Sequence, residues 1–187
     1  MIAESIVVEV TYPHSIWQVW HALTDQEALA TWLMPNDFEP RVGHRFTFHV
    51  APEHGWSGIV KCQVIELVAP HRVAYTWRGG QDQPETMVTF TLTPHESGTA
   101  LRLEHTGFET HDGQGFSLRN VLSSGWNAKL LQENLSAFLR RQAVQGDSVL
   151  VSSQKKTIMN GFTTQASKWS FREETVMYGY TTQDEKE

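Results

Sequence analysis

His105 is the residue best placed by type to do chemistry. In ALRLEHT it shares one strand face with Leu101 and Leu103, with Arg102 and Glu104 on the other. Histidine titrates near neutrality, so a histidine turned into a cavity can hold a ligand or move a proton. The alternative is a histidine satisfied by hydrogen bonds near the end of its strand. Tyr75 is the best available second member of a polar dyad. His105, Glu109, His111 and Asp112 gather on one loop approach, but their spacing matches no standard zinc motif, so no metal is assigned. Cys62 lies inside a strand and reads as an inert thiol. The chain carries no nucleophile elbow, no glycine-rich phosphate loop and no paired-carboxylate signature. No catalytic residue and no cofactor are assigned.

Aromatic residues are the other chemical resource. Phe46, Phe48, Tyr75, Trp77 and Phe90 suit either an aromatic wall for an apolar ligand or the ordinary core of a sheet. Trp77 and Trp126 stand apart, because a buried indole needs a partner for its N–H and often borders a polar or wet space. Trp32 suits packing or the edge of an entrance.

These residues sit on a regular series of elements. Residues 4–11 are rich in β-branched side chains and predict a strand. Pro13 fits the first turn of a helix through HSIWQVWHAL, with Ile16, Trp20 and Leu23 on one face and Trp17 and Val19 at its borders. Thr24 and Glu27 suggest a capping box for a second short helix ended by Pro35. The period then becomes two. Phe46, Phe48 and Val50 share a face in RFTFHV, as do Val73, Tyr75 and Trp77 in RVAYTW and Val88, Phe90 and Leu92 in MVTFTLT. In GIVKCQVIEL the phase slips near Val64 and Ile65, which predicts a β-bulge. Gly- and Pro-rich separators make these strands an antiparallel meander with one buried face.

Phe116–Arg141 is the only later segment long enough to cover that face. Leu118, Val121, Leu122, Ala128, Leu131, Leu135, Phe138 and Leu139 recur at steps of three and four, the stripe of an amphipathic helix. Ser117 is the expected N-cap, and Arg140 and Arg141 suit the C-terminal end. The stripe has a gap at Gly125, which costs about 1 kcal/mol relative to Ala inside a helix. Gly125 serves either a close approach of helix to sheet or free volume beside Trp126, close packing being the plainer expectation.

The predicted fold class is α+β, a curved antiparallel sheet of about six strands wrapped around a long C-terminal helix, with two short helices after the first strand. Such a sheet and helix leave a space between them. The candidate cavity residues are Phe46, Phe48, Tyr75, Trp77, Phe90, Leu103, His105, Leu122, Gly125 and Trp126.

Composition limits the function classes. The 187 residues carry a net charge of -6, all of it before residue 148. An acidic domain without a basic run argues against nucleic acid or an anionic membrane surface as partner. MIAESIVVEV has no basic flank and no apolar run reaches membrane-spanning length, so a cytoplasmic protein is expected. Residues 1–145 read as one domain and 146–187 as a Ser-, Thr- and Gln-rich extension, partly disordered or loosely docked, in which Asn160–Gly161 is a hairpin signal. An exposed edge strand or this extension can support a homodimer.

The order of elements resembles the START-like (SRPBCC) superfamily with its helix-grip fold. The phrases HSIWQVWHALTDQEALATWL, GHRFTF, VIELVAPHRVAYTW, MVTFTLTP, LRLEHTGF, and GW before LLQENLSAFL are similar to the Aha-type C-terminal domain, the family of activators of heat-shock-protein ATPase. The resemblance covers residues 4–142. It implies a cavity under the long helix that takes a small hydrophobic molecule, as in non-enzymatic relatives, in a stress-response setting. It also implies an alternative, a co-chaperone module that stimulates a heat-shock chaperone ATPase. The eukaryotic namesake acts on the ATPase through an additional N-terminal domain. This chain starts at the first strand of the C-terminal type, so the expectation is of the domain alone. Some superfamily members are cyclases or hydrolases, and a cyclase-like enzyme would need a polar dyad in the cavity, His105 with Tyr75.

Overall fold

The computed structural model describes residues 5–52, 57–80, 83–108 and 114–144. Met1–Val144 forms one compact unit. The expectations for residues 146–187, and those for Glu109, His111 and Asp112, lie outside the described residues.

Six strands form one curved antiparallel sheet: β1 (Ile6–Tyr12), β2 (Arg45–His49), β3 (Ile59–Val68), β4 (Arg72–Trp77), β5 (Thr86–His95) and β6 (Gly98–Thr106). Their order is β1-β6-β5-β4-β3-β2, so the later five make a meander and β1 closes it beside β6. Alternation of apolar and polar residues drives the pairing, because only one face can be buried. Phe46 and Phe48, Val73 and Tyr75, Phe90 and Leu92, and Leu101 and Leu103 are all buried. Val50 departs from expectation. It lies past the end of β2 and is exposed. The expected bulge is present, since the β3–β4 register shifts between Val64 and Glu66. At the β5–β6 hairpin Gly98 has φ +136°, and a Cβ there would run into the backbone carbonyl of Tyr12. Only glycine tolerates that conformation without strain.

Two short helices, α1 (Ile16–Thr24) and α2 (Gln26–Trp32), follow β1. Ser15 and Gln18 cap α1 reciprocally. The expected Thr24–Glu27 box at α2 does not form. The Thr24 hydroxyl donates back to the Trp20 carbonyl (2.8 Å), and Asp25 caps α2 by accepting from the Ala28 N–H at 2.9 Å. Trp17 points to solvent, whereas Val19 is fully buried. Trp32 is a packing residue. It is buried, and its indole donates to the Ala22 carbonyl at 2.7 Å.

The long C-terminal element is not one uniform α-helix. It is α-helical from Gln114 to Ser124 (α3), π-helical from Gly125 to Leu135, and α-helical again over 136–144. Ser117, expected as N-cap, lies inside α3. A π-helix bonds i to i+5, so it carries more residues per turn and changes the phase of the buried face. Trp126, Leu131 and Leu135 are buried at steps of five and four, whereas Val121, expected on the same stripe, is 69% exposed. Side chains hold the π-helical segment in register. The Tyr12 hydroxyl donates to the Leu131 carbonyl (2.9 Å), and the Asn134 amide donates to the Trp32 carbonyl (3.1 Å). No helix among the described residues is long and apolar enough to cross a membrane.

Candidate functional site

Where the π-helical segment begins, Trp126 passes over β4, β5 and β6. Its ring packs edge-on against Trp77 (centroids 5.5 Å apart) and Phe90 (6.0 Å). Its Nε1–H donates to Nδ1 of His105 at 3.1 Å. That bond fixes the histidine tautomer. Nδ1 must be the bare acceptor, so the proton of a neutral ring sits on Nε2. Nε2 lies 2.7 Å from the Thr86 hydroxyl, and that hydroxyl itself donates to the Trp77 carbonyl at 2.9 Å. The result is a directional chain, Trp126 to His105 to Thr86 to the Trp77 carbonyl, in which every proton has an acceptor.

His105 is fully buried, and its ring contacts are the apolar faces of Trp77, Phe108 and Trp126. Burial pushes its pKa down to about 3. A protonated ring would also turn a second N–H toward the indole N–H, two donors facing each other. His105 therefore stays neutral and structural at physiological pH.

The supposed dyad with Tyr75 is not assembled. Tyr75, Val88 and His105 occupy one row across β4, β5 and β6, which leaves a strand between the two polar groups. Tyr75 packs among Phe46, Phe48 and Phe90 instead. Its hydroxyl is buried without a hydrogen-bond partner, and desolvation, reinforced by nearby Cys62, raises its pKa well above the ordinary value. It stays a neutral phenol. Cys62 is likewise buried, and desolvation raises its pKa.

A cavity of about 330 Å³ lies beside this network, between the helical element and the β2–β4 end of the sheet. Leu118, Val121, Leu122, Gly125, Trp126 and Leu130 form its helical side. Val60 and Trp77 come from the sheet, and Met34, Val50, Gly79 and Gln83 from connecting segments. Gly125 decides the character of the space. A Cβ built there would meet nothing within 4 Å, so the close packing expected of this glycine is absent and open volume takes its place.

Of the ten residues expected at the cavity, Trp77, Leu122, Gly125 and Trp126 line it. Phe46, Phe48, Tyr75, Phe90, Leu103 and His105 do not. All six are buried in the packed layer of the core. Sequence reasoning missed Met34, Val50, Val60, Gly79, Gln83, Leu118, Val121 and Leu130. Leu118 and Val121 were visible as helical stripe residues and Val50 as the last member of the RFTFHV alternation, whereas Met34, Gly79 and Gln83 lie in segments without periodicity. Among the described residues no group of His, Cys, Asp or Glu is arranged to hold a metal.

A curved six-stranded sheet gripping a long helix, preceded by two short helices, is the START-like arrangement. The sequence pattern of the family described as "Activator of Hsp90 ATPase homolog 1-like protein" matches residues 13–140. The chain belongs to this family. Solved structures agree. Protein MLL2253 of Mesorhizobium loti is 34% identical over 74% of this chain and 98% of its own, with a TM-score of 0.64. Protein BH1534 of Bacillus halodurans is 26% identical, covering 74% of this chain and 99% of its own, with a TM-score of 0.57. CalU16 of Micromonospora echinospora, 21% identical over 76% of this chain and 80% of its own with a TM-score of 0.59, shares the fold. No curated protein matches the sequence. Within this Aha-type domain, the helix-grip core is complete in β1–β6 and the helical element, and the cavity opens where that element turns from α to π.

Proposed function

We propose that this Aha-type domain is a non-enzymatic receptor for a small hydrophobic molecule held between the sheet and the helical element. The observation that carries the reading is the open volume facing Gly125. A helix interior disfavours glycine, and this one contacts no neighbour that would require it. What it leaves is cavity. The space of about 330 Å³ falls at the lower end of the range usual for ligand sites, roughly 300–1,000 Å³. Two indoles and aliphatic side chains make up most of its wall. The neutral, fully bonded His105 and the separation of Tyr75 from it support binding over acid–base chemistry.

The test is a thermal-shift screen of lipophilic compounds against the wild type and Gly125→Leu. A ligand at a hundred times its Kd adds about 2.7 kcal/mol to folding stability. Several lipophiles should raise the melting temperature of the wild type and leave Gly125→Leu unchanged, because the leucine side chain occupies their site. Absence of any stabilising lipophile, or equal shifts in both proteins, would overturn the proposal.

A further inference from the structure

The two cavity tryptophans differ in one chemical respect. The N–H of Trp126 is taken by His105 at 3.1 Å. Trp77 lines the same cavity, and among the described residues its indole N–H has no hydrogen-bond partner. It is also not sealed in the core, since Tyr75 alone carries a fully buried, unpartnered polar side-chain atom among the described residues. A residue of the wall therefore keeps an unpartnered donor that is not sealed in the core.

Gln83 supplies the second polar element. It is half-buried and is the only described lining residue with a polar side chain other than the two indoles. Its carboxamide has no hydrogen-bond partner among the described residues. The backbone makes room for it. A Cβ on Gly79 would come within 2.7 Å of Oε1 of Gln83, so a side chain at position 79 would displace the amide from its place. Gly79 is thus the residue that lets Gln83 reach the cavity wall.

From these groups we infer that the cavity selects an uncharged, mostly apolar ligand with a carbonyl or hydroxyl oxygen at one end, anchored by Gln83 and the Trp77 N–H. No described lining residue carries a charge, so an ionised headgroup would enter without a counter-ion, and an unpaired charge is the most expensive group to desolvate. A wholly apolar ligand would instead leave the indole N–H and the amide unpaired, which a site equipped with such groups penalises. An oxygen acceptor satisfies both.

This inference rests on the cavity reading above and is tested with a matched series on one alkyl chain: decanol, decanone, decanoate and decylamine, titrated calorimetrically into the full chain. Decanol and decanone should bind at least tenfold more tightly than either ion. Gln83→Leu should weaken the neutral pair about five- to tenfold, the loss of one hydrogen bond. Gln83→Glu should gain affinity for decylamine, a reversal that a purely structural glutamine would not produce. Circular dichroism melting curves establish that both variants fold. If the ions bind as tightly as the neutral members, or Gln83→Leu binds decanol as the wild type does, this inference fails while the cavity reading stands. If no lipophile of any class binds, the cavity reading fails and this inference with it.

Discussion

Replacing His105 by glutamine should make the protein less sensitive to acid, and the size of the effect follows from the surroundings of the imidazole. The folded ring is neutral, with its pKa pushed from 6.5 down to about 3 by burial among Trp77, Phe108 and Trp126. In the unfolded chain it protonates near 6.5. Between those values the unfolded state binds one more proton than the folded state, so stability rises with pH across that window. The contribution is fully present above about pH 6.5 and drains away as pH falls toward 3. At about 1.4 kcal/mol per pH unit the loss reaches about 5 kcal/mol over the whole interval. That is a large share of a domain stability of about 5–15 kcal/mol. Glutamine keeps an acceptor for the Trp126 N–H and a donor for the Thr86 hydroxyl, yet it does not titrate. Urea denaturation followed by circular dichroism, from pH 7 to pH 4, gives the comparison. His105→Gln should be no more stable than the wild type at pH 7. At pH 4.5 it should have gained about 3 kcal/mol relative to it. Asp37, whose carboxyl the Thr47 N–H holds below its usual range, also loses stabilisation in acid, but equally in both proteins. Parallel stability curves for the two proteins would refute the neutral, buried histidine.

Two further changes probe how the helical element is held. Tyr12→Phe removes the buried hydroxyl that donates to the Leu131 carbonyl and should cost about 1–2 kcal/mol in urea denaturation. An unchanged midpoint would mean that the π-helical segment keeps its register without this tie. Gly98→Ala forces a side chain onto a left-handed backbone facing the Tyr12 carbonyl, and should cost more than about 2 kcal/mol. A loss below about 0.5 kcal/mol would refute the account of the β5–β6 hairpin.

The strands were legible because their signal is local. Two-residue alternation states which face of a strand is buried, and Phe46 with Phe48, or Val73 with Tyr75, can be sorted without knowing any other element. The bulge was legible for the same reason, as a slip in that alternation at Val64. The cap of α2 was misplaced by one residue because Thr24 and Asp25 are both good cappers. The choice depends on the last turn of α1, whose Trp20 carbonyl takes the threonine hydroxyl. The π-helical winding left no clear trace, since steps of three and four fit its flanks and the neighbours that hold it, Tyr12, Trp32 and His105, are distant in sequence. The cavity was half legible for a related reason. Periodicity says that Phe90 and Trp77 face inward, but it does not say how far along the sheet the helical element lies. Four of the expected residues met open space, and six lie buried in the packed core.

Gly125 and Trp126 then account for one another. A bulky side chain at 125 would fill the volume beside the indole. An α-helical continuation would change the phase in which Trp126, Leu131 and Leu135 meet the sheet. The glycine leaves the space, and the wider winding aims the tryptophan at His105. The His105 bond then occupies the one polar atom that Trp126 would otherwise present to a ligand. On the proposed reading this leaves polar recognition to Trp77 and Gln83, which come from the sheet and a loop and not from the helical element. The proposal then orients a ligand with its oxygen toward the sheet and loop and its apolar body along Leu118, Leu122 and Gly125. Substituting Gly125 therefore removes room for the ligand's body, whereas substituting Gln83 changes only which end group is accepted. The two variants separate the existence of the site from its specificity.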